Sequence, residues 1–505
     1  MKKLHFISLA VTVFVITLLL NSCKKSFIET EPKGSFSLDG YYQDQSQAFA
    51  ALASTYDLLR KNSGGFENMI TFLNAASDDQ LAGGGGESDG VGMHSFSNFT
   101  INADRMPQSY WGDHYQGIYR ANILLQKVPN SNMDEALKTR YLAEAKALRA
   151  IYYFNLVRMF KNIPLILEPL TLENMYQVTQ ATPDAIYAQI EKDLTEAIVV
   201  LPSKIDIVTD GGRFTQASAK ALLGKVYLYE KKNTLAAAQF ADVNGTPGQE
   251  SIYGNSLLPN YSDLWVFNNR FNKESILEVT HSSQGNTDWG FWGTGSDEGN
   301  TVDQMVGPRS YTRIDPSAPD IYGGGWAFNV FTPDFYNAIK NDPRFTATIF
   351  DINPLVASGK VQFVAAYQNT GYFVNKYLPK TSDIRTGGGT LELNFQQDSY
   401  IIRLADTYLM EAEALNATGP RAQALLDAVR ARVGLPSVPV SLDAIKNERR
   451  LELAAEGHRF FDLVRWGDAS AKLGGRGFVA GKNEILPIPA SELKGTQLKQ
   501  NPGYN

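Results

Sequence analysis

The stretch Asn447–Trp466, NERRLELAAEGHRFFDLVRW, constrains the fold more than any other segment. It has no proline and one glycine, Gly457, and most of its other residues are helix-compatible. Counted from Ile445, the apolar residues Leu453, Phe460 and Val464 recur at helical spacing, so one face is apolar and the last long helix is expected over 441–466. Glu448, Glu452 and Glu456 stack four residues apart on another face. Like charges at that spacing destabilise an isolated helix by a few tenths of a kcal/mol per pair, so cations must compensate them. Arg449 and Arg459 lie three residues from Glu452 and Glu456, and Arg459 and Arg465 both lie three from Asp462. Two readings follow. One is a packed helix whose carboxylates are held by arginines. The other is an acid pair of the glycosidase kind, which needs two carboxylates with separated pKa values. The packed helix is preferred.

Helical periodicity dominates the rest of the chain. Helices are expected over 41–61, 110–128, 135–160 and 183–201, the last started by Thr182 as N-cap and Pro183 at the first position. The clearest, 135–160, places Leu142, Ala145, Leu148 and Tyr152 on one face. Two helical hairpins follow, 215–230 with 235–243 and 403–416 with 421–433. They resemble tetratricopeptide units, in which each pair buries its face on the next. Between them the pattern breaks. Residues 244–280 contain only a short strand-like run at 276–280, and 281–334 are rich in Gly, Asn, Asp and aromatic residues. So long an irregular insert is usually functional, and its aromatic density argues against disorder. Nearer the start, the Gly83–Gly86 run reads as a mobile surface loop between Ser77-Asp78-Asp79 and 89–98.

The first 22 residues read as a lipoprotein signal peptide. Lys2 and Lys3 precede a mostly apolar run, 6–20. At ~1.5 Å per residue that run is shorter than the ~30 Å hydrocarbon core, which favours a cleaved leader over a permanent span. Leu20-Asn21-Ser22-Cys23 resembles a bacterial lipobox ending in the one cysteine of the chain, so Cys23 is the expected lipidation site and 23–39 the tether. Residues 40–505 are expected to form a single mostly α domain: a scaffold of tetratricopeptide-like helix pairs, with the insert at about 244–334 carrying the binding surface.

Several chemistries are missing. With five histidines at no metal-ligand spacing and one cysteine, a structural zinc site is excluded. The glycine run has no P-loop lysine, and neither a nucleophile elbow nor an HExxH motif occurs. A net charge of −6 without a basic block argues against nucleic acid as a partner. Asp78, Asp79 and the Gly295–Asn300 run supply oxygen ligands without EF-hand spacing. Solvated loop acids are the preferred reading. No cofactor is expected, and calcium alone stays open.

The segment ERRLELAAEGHRFFDLVRWG resembles the C-terminal signature of the SusD/RagB family of outer-membrane nutrient-binding lipoproteins, matched at Glu448, Arg449, Glu452, Glu456, Gly457, Arg459, Asp462, Leu463, Arg465 and Trp466. AEAKALRAIYYFNLVRMFKNIPLI, YIIRLADTYLMEAEA, LLDAVRARVGLP and the tail LPIPASEL…QNPGYN look like further family blocks. The resemblance implies that this last helix is structural. It also implies a nutrient, commonly an oligosaccharide, bound in an aromatic-lined site on loops, and a SusC-like TonB-dependent transporter as partner. An outer-membrane, lipid-anchored location on the cell surface follows from the same resemblance. Family members linked to peptide uptake keep a peptide ligand open. A surface glycoside hydrolase using Glu448, Glu452 or Glu456 and a pure helical scaffold are the further alternatives.

Family loops diverge, so the site residues come from composition. A sugar ring is apolar on its C–H faces and polar at its edge, which suits an aromatic platform with nearby polar side chains. Tryptophan offers large contact area with few rotamers to lose. Trp289, Phe291, Trp292, Tyr322 and Trp326 are the ligand-binding candidates, with Asp78, Asp79 and His94 as weaker ones. No catalytic or metal-binding residue is assigned. Trp111 and Trp265, among apolar neighbours, are assigned to the core.

Overall fold

The structure, a computed structural model, describes residues 41–282, 289, 298–384 and 389–504. The leader, Cys23, Phe291 and Trp292 lie outside the described residues. No helix among the described residues is long and apolar enough to cross a membrane.

The scaffold is a stack of helices packed largely in chain order. α1 (Gln45–Tyr56) lies on α4 (Ser109–Lys127) and α5 (Glu135–Phe160); the short α2 (Met69–Ala75) and α3 (Val91–Ser97) come between them in sequence. α5 carries α6 (Pro183–Ile198), and α6 carries α7 (Gln216–Tyr229), which pairs with α8 (Asn233–Asn244). The stack resumes with α11 (Leu404–Ala414) on α8, followed by α12 (Gly419–Arg432) and α13 (Leu442–Glu452). α5 has the expected boundaries and is about 39 Å long at 1.5 Å per residue. It starts at Asp134, whose carboxylate caps the Leu137 N–H. The sequence suggested one apolar face, but from Ala147 to Phe154 every residue is buried, because α1, α4 and α6 all pack against it. Thr182 caps α6 as expected, and Thr215 and Ser218 close a reciprocal capping box on α7. A cap of this kind is worth about 1 kcal/mol.

Two corrections concern the opening stretch. The last helix is not continuous: α13 ends at Glu452 and α14 runs from Arg459 to Trp466. Ala455 and Gly457 between them have φ of 64° and 80°. Gly457 donates its N–H to Asn74 Oδ1 at 3.0 Å, and a side chain there would press on Ile70 at 3.3 Å. Nor do Arg449 and Arg459 balance the glutamates. Arg449 pairs with Asp406 and Asp462, and Arg459 with Asp78, whereas Arg465 does reach Asp462.

The glutamates are fully buried and find their cations elsewhere. Glu448 meets Arg344 at 2.6 Å and Arg430 at 2.7 Å. Glu452 meets Arg344 at 2.9 Å, Arg403 at 2.7 Å and Arg432. Glu456 meets Arg403 at 2.8 Å and Lys376 at 2.6 Å. With Asp342 on Arg344 and Glu274 on Arg403 and Arg432, five carboxylates face five cations. Arg344 and Lys376 belong to the irregular insert, so the network clamps the insert onto the helices.

The insert is also longer than the sequence suggested. Strand Ser275–Val279 leaves the scaffold and pairs antiparallel with Ser399–Arg403, which runs straight into α11. Everything described between these strands is loops, short helices such as α9 (Val302–Val306) and α10 (Pro333–Ile339), and two-stranded ladders. It has one small core of its own, around Tyr311, Val330, Phe350 and Phe373, and shares a second with the scaffold, where Phe331, Phe335 and Tyr377 pack with Ile70, Trp265 and Leu451. Trp111 and Trp265 are core residues, as expected.

A candidate ligand-binding surface

Three chain segments converge on one strip of aromatic rings. Trp289 is 49% exposed and stacks on Trp326, with ring centroids 5.9 Å apart and planes 27° from parallel. Trp326, half-buried, lies 6.2 Å from the ring of Phe66. Phe66 meets the buried rings of Phe72 and Phe328 edge-on, at 6.1 and 5.6 Å. The strip therefore descends from a half-exposed ring to the core, which fixes its inner end.

The backbone under Trp326 is held at close quarters. Trp326 N–H donates to Gln304 O at 3.0 Å, and the next two amides donate to Gly307 O and Met305 O at 2.8 Å. A β-carbon at Gly325 would sit 2.3 Å from the carbonyl of Gly307, so only glycine permits this approach. The Gly83–Gly86 run turns out to be built in at its first half. Gly83 bridges to Phe328 with φ of 73°, and a β-carbon there would lie 2.3 Å from Ala327 O. Ala327 and Asn329 are left-handed without being glycine, at 60° and 54°. Strain of this kind costs of order 1–3 kcal/mol and persists where the surroundings impose it.

The described residues that flank the Trp289 stretch are pinned beside Phe66. His281 Nε2 lies 2.6 Å from Ser63 Oγ, and His281 N–H donates to Asp398 Oδ1 at 2.8 Å. Thr301 N–H donates to Ser63 O at 3.0 Å, and Thr301 Oγ1 accepts from Gly65 N–H at 2.9 Å. Burial holds the His281 imidazole down to about 4, so it is neutral at pH 7. Burial likewise pushes the Asp398 carboxyl up to about 7 and that of Glu278, on the neighbouring strand, up to about 8.

The other candidates fall in different places. Tyr322 folds its ring over Gly324, donates its hydroxyl to Glu392 Oε1 at 2.5 Å and meets Phe395 edge-on at 6.1 Å. Burial and the Glu392 carboxylate push its phenol up to about 12. His94, on α3, is buried with its ring edge-on to Tyr367 at 5.5 Å, and its Nε2 has no hydrogen-bond partner. Asp78 and Asp79 are committed to ion pairs with the C-terminal segment. Arg459 holds Asp78 through two bonds of 2.8 Å, and Arg450 holds Asp79 at 2.7 Å. Burial raises the Asp78 carboxyl, but the bonds and charge of Arg459 outweigh it and leave it lowered. Burial and the adjacent Asp78 raise Asp79 to about 6. These two carboxylates have no contact with the ring strip. Of the Gly295–Asn300 run, Glu298, Gly299 and Asn300 are described, and the Asn300 amide is engaged by Gln397 O and Val302 N–H. No group of three His, Cys, Asp or Glu able to hold a metal occurs among the described residues.

Phe66 and Gln304 were missed in the sequence. Phe66 follows Gly64-Gly65, and a lone aromatic after two glycines gives no periodic signal; only the fold brings it to Trp326. The acid-pair reading of Glu448, Glu452 and Glu456 fails on geometry, since all three are buried and ion-paired.

With this geometry in hand, comparison with known proteins is informative. A laminarin-binding SusD-like protein is 59% identical, covers 92% of this chain and 100% of its own, and superposes with a TM-score of 0.90. The chain belongs to the SusD family. The SusD family profile matches residues 273–504, and a second one, described as starch-binding associating with outer membrane, matches 70–228. Surface glycan-binding protein A from Bacteroides thetaiotaomicron, solved in complex with laminarihexaose, is 26% identical over 91% of this chain and 99% of that one, with a TM-score of 0.80. A SusD-like protein of Formosa agariphila is 26% identical over 95% of this chain and 96% of its own length. The SusD-family C-terminal profile spans α11 to α14, so the buried charge network is part of the family region.

Proposed function

We propose that this SusD-family protein is a non-catalytic, lipid-anchored glycan receptor of the outer membrane. It captures a β-1,3-glucan of the laminarin type and delivers it to a SusC-like TonB-dependent transporter. The observation that carries the reading is the stacked pair Trp289–Trp326 at the exposed end of a strip rooted in the core. Stacked indoles offer a pyranose its apolar face at little entropic cost. Likeness to the laminarin-binding relative supports the choice of glycan. The other residues proposed for this surface are Phe291, Trp292 and Tyr322, and Cys23 is the proposed lipid attachment point. Asp78, Asp79 and His94 are left outside it.

Calorimetric titration of the full chain in detergent against laminarin, starch and a peptide mixture tests this. Laminarin is expected to bind saturably, and Trp326→Ala to weaken it by about 30-fold, the loss of roughly 2 kcal/mol typical of a buried aromatic anchor. Heat with peptides alone, or a Trp326→Ala variant that binds laminarin like the parent, would reject the reading.

A further inference from the structure

A basin of about 300 Å³ opens at the Ser63–Phe66 segment, lined by Arg60, Lys61, Gly64, Gly65, Phe66, Glu67, Ser109 and Asp113. We infer that this basin is a second subsite of the glycan surface, which takes one further neutral pyranose unit of a chain already stacked on Trp289 and Trp326. The inference rests on the glycan reading above.

Three observations point this way. First, Phe66 is both a wall of the basin and the neighbour of Trp326, so basin and platform share one ring. Second, the polar wall carries paired charges: Lys61 stands against Asp113, with Glu67 beside them, and Arg60 is paired with Asp57 just outside the lining. Lys61 Nζ lies 3.1 Å from Asp113 Oδ2, and Ser109 Oγ donates to Glu67 Oε2 at 2.5 Å. Charges already paired with opposite charges favour neither an anion nor a cation. Its carboxylate oxygens can accept hydroxyl protons, and hydrogen bonds to charged groups are the strong ones. Third, the segment is rigid where it matters. Ser63 and Gly65 are bonded to His281 and Thr301, which flank the Trp289 stretch in sequence. A wall so fixed keeps its register with the platform, which a chain spanning both requires.

The dependence on chain length tests this. The full chain in detergent is titrated with linear β-1,3-gluco-oligosaccharides of three and of six units. In Glu67→Gln/Asp113→Asn the affinity for six units is expected to fall about tenfold, the effect of one charged hydrogen bond, with that for three units unchanged. Ser109→Tyr, which fills the basin and leaves the charges in place, is expected to show the same length-selective loss. Melting curves like the parent's confirm that both variants fold. Full affinity for six units in both variants would overturn the subsite, as would an equal loss for both lengths. In either case a Trp326→Ala variant that loses both ligands would leave the platform reading standing. If the parent binds neither oligosaccharide, the platform reading falls and the subsite with it.

Discussion

Glu452 is the most heavily engaged carboxylate of the buried network, and Glu452→Gln perturbs it without changing side-chain shape. Three guanidinium groups, of Arg344, Arg403 and Arg432, converge on its carboxylate. Removing that one charge leaves four carboxylates against five cations in a region closed to water. Breaking a buried ion pair from one side costs about 3–5 kcal/mol, because the partner charge stays buried and uncompensated. Unfolding entropy scales at about 2.1 cal/mol/K per residue, so a chain of this length loses roughly 1 °C of Tm per kcal/mol. Scanning calorimetry at pH 7 should therefore show Tm lowered by roughly 3–5 °C, and exposed Glu173→Gln should show no shift. The pH dependence gives a second check. The arginines overcome burial and hold the Glu452 carboxyl far below its ordinary value of 4.5. Its contribution is thus complete above that value and declines as pH falls toward the depressed one, so the gap between parent and variant should shrink in acid. An unchanged Tm at pH 7, or a gap that widens in acid, would refute the reasoning. Laminarin affinity should be unaffected at temperatures where the variant is folded, since the network has no contact with the ring strip.

Gly325→Ala forces a β-carbon into the Gly307 carbonyl, so laminarin affinity should fall even though no ligand contact is removed; equal affinity would show that the close approach is dispensable. Glu278→Gln keeps an acceptor for Phe271 N–H and Ser275 Oγ but removes a carboxyl whose folded value, about 8, lies above its ordinary 4.5. Ionising it costs the parent stability as pH rises, so the variant's Tm advantage should grow between those values and level off above; an advantage independent of pH would contradict this. Cys23→Ser should release the protein from membranes into the soluble fraction, and retention would remove the lipid anchor from the account.

The scaffold was legible because its signals are local. A 3.6-residue period, Thr182 before Pro183, and alanine-rich second helices each declare a helix within a dozen residues. The charge network was half legible. A stack of Glu448, Glu452 and Glu456 demanded cations, but Arg344, Lys376 and Arg403 are far away in sequence, and only folding brings them in. Nearby Arg449 and Arg459 were the reasonable local choice and are used elsewhere. The helix break at Ala455–Gly457 was hidden because one glycine in a helical pattern does not announce a left-handed turn. At the proposed site, Trp289 and Trp326 were chosen by composition. Phe66 was not, because its role depends on contacts more than 200 residues apart. Asp78 and Asp79 looked like loop acids because their arginine partners lie near the C-terminus.

The central claim is that glycan stacks on the Trp289–Trp326 pair. A crystal structure of the full-length protein with a β-1,3-linked glucose hexasaccharide tests it most directly. The account predicts a pyranose ring lying flat against the Trp326–Trp289 face, with the chain running toward Phe66. A saccharide seated elsewhere on the molecule, with both indoles untouched, would contradict it.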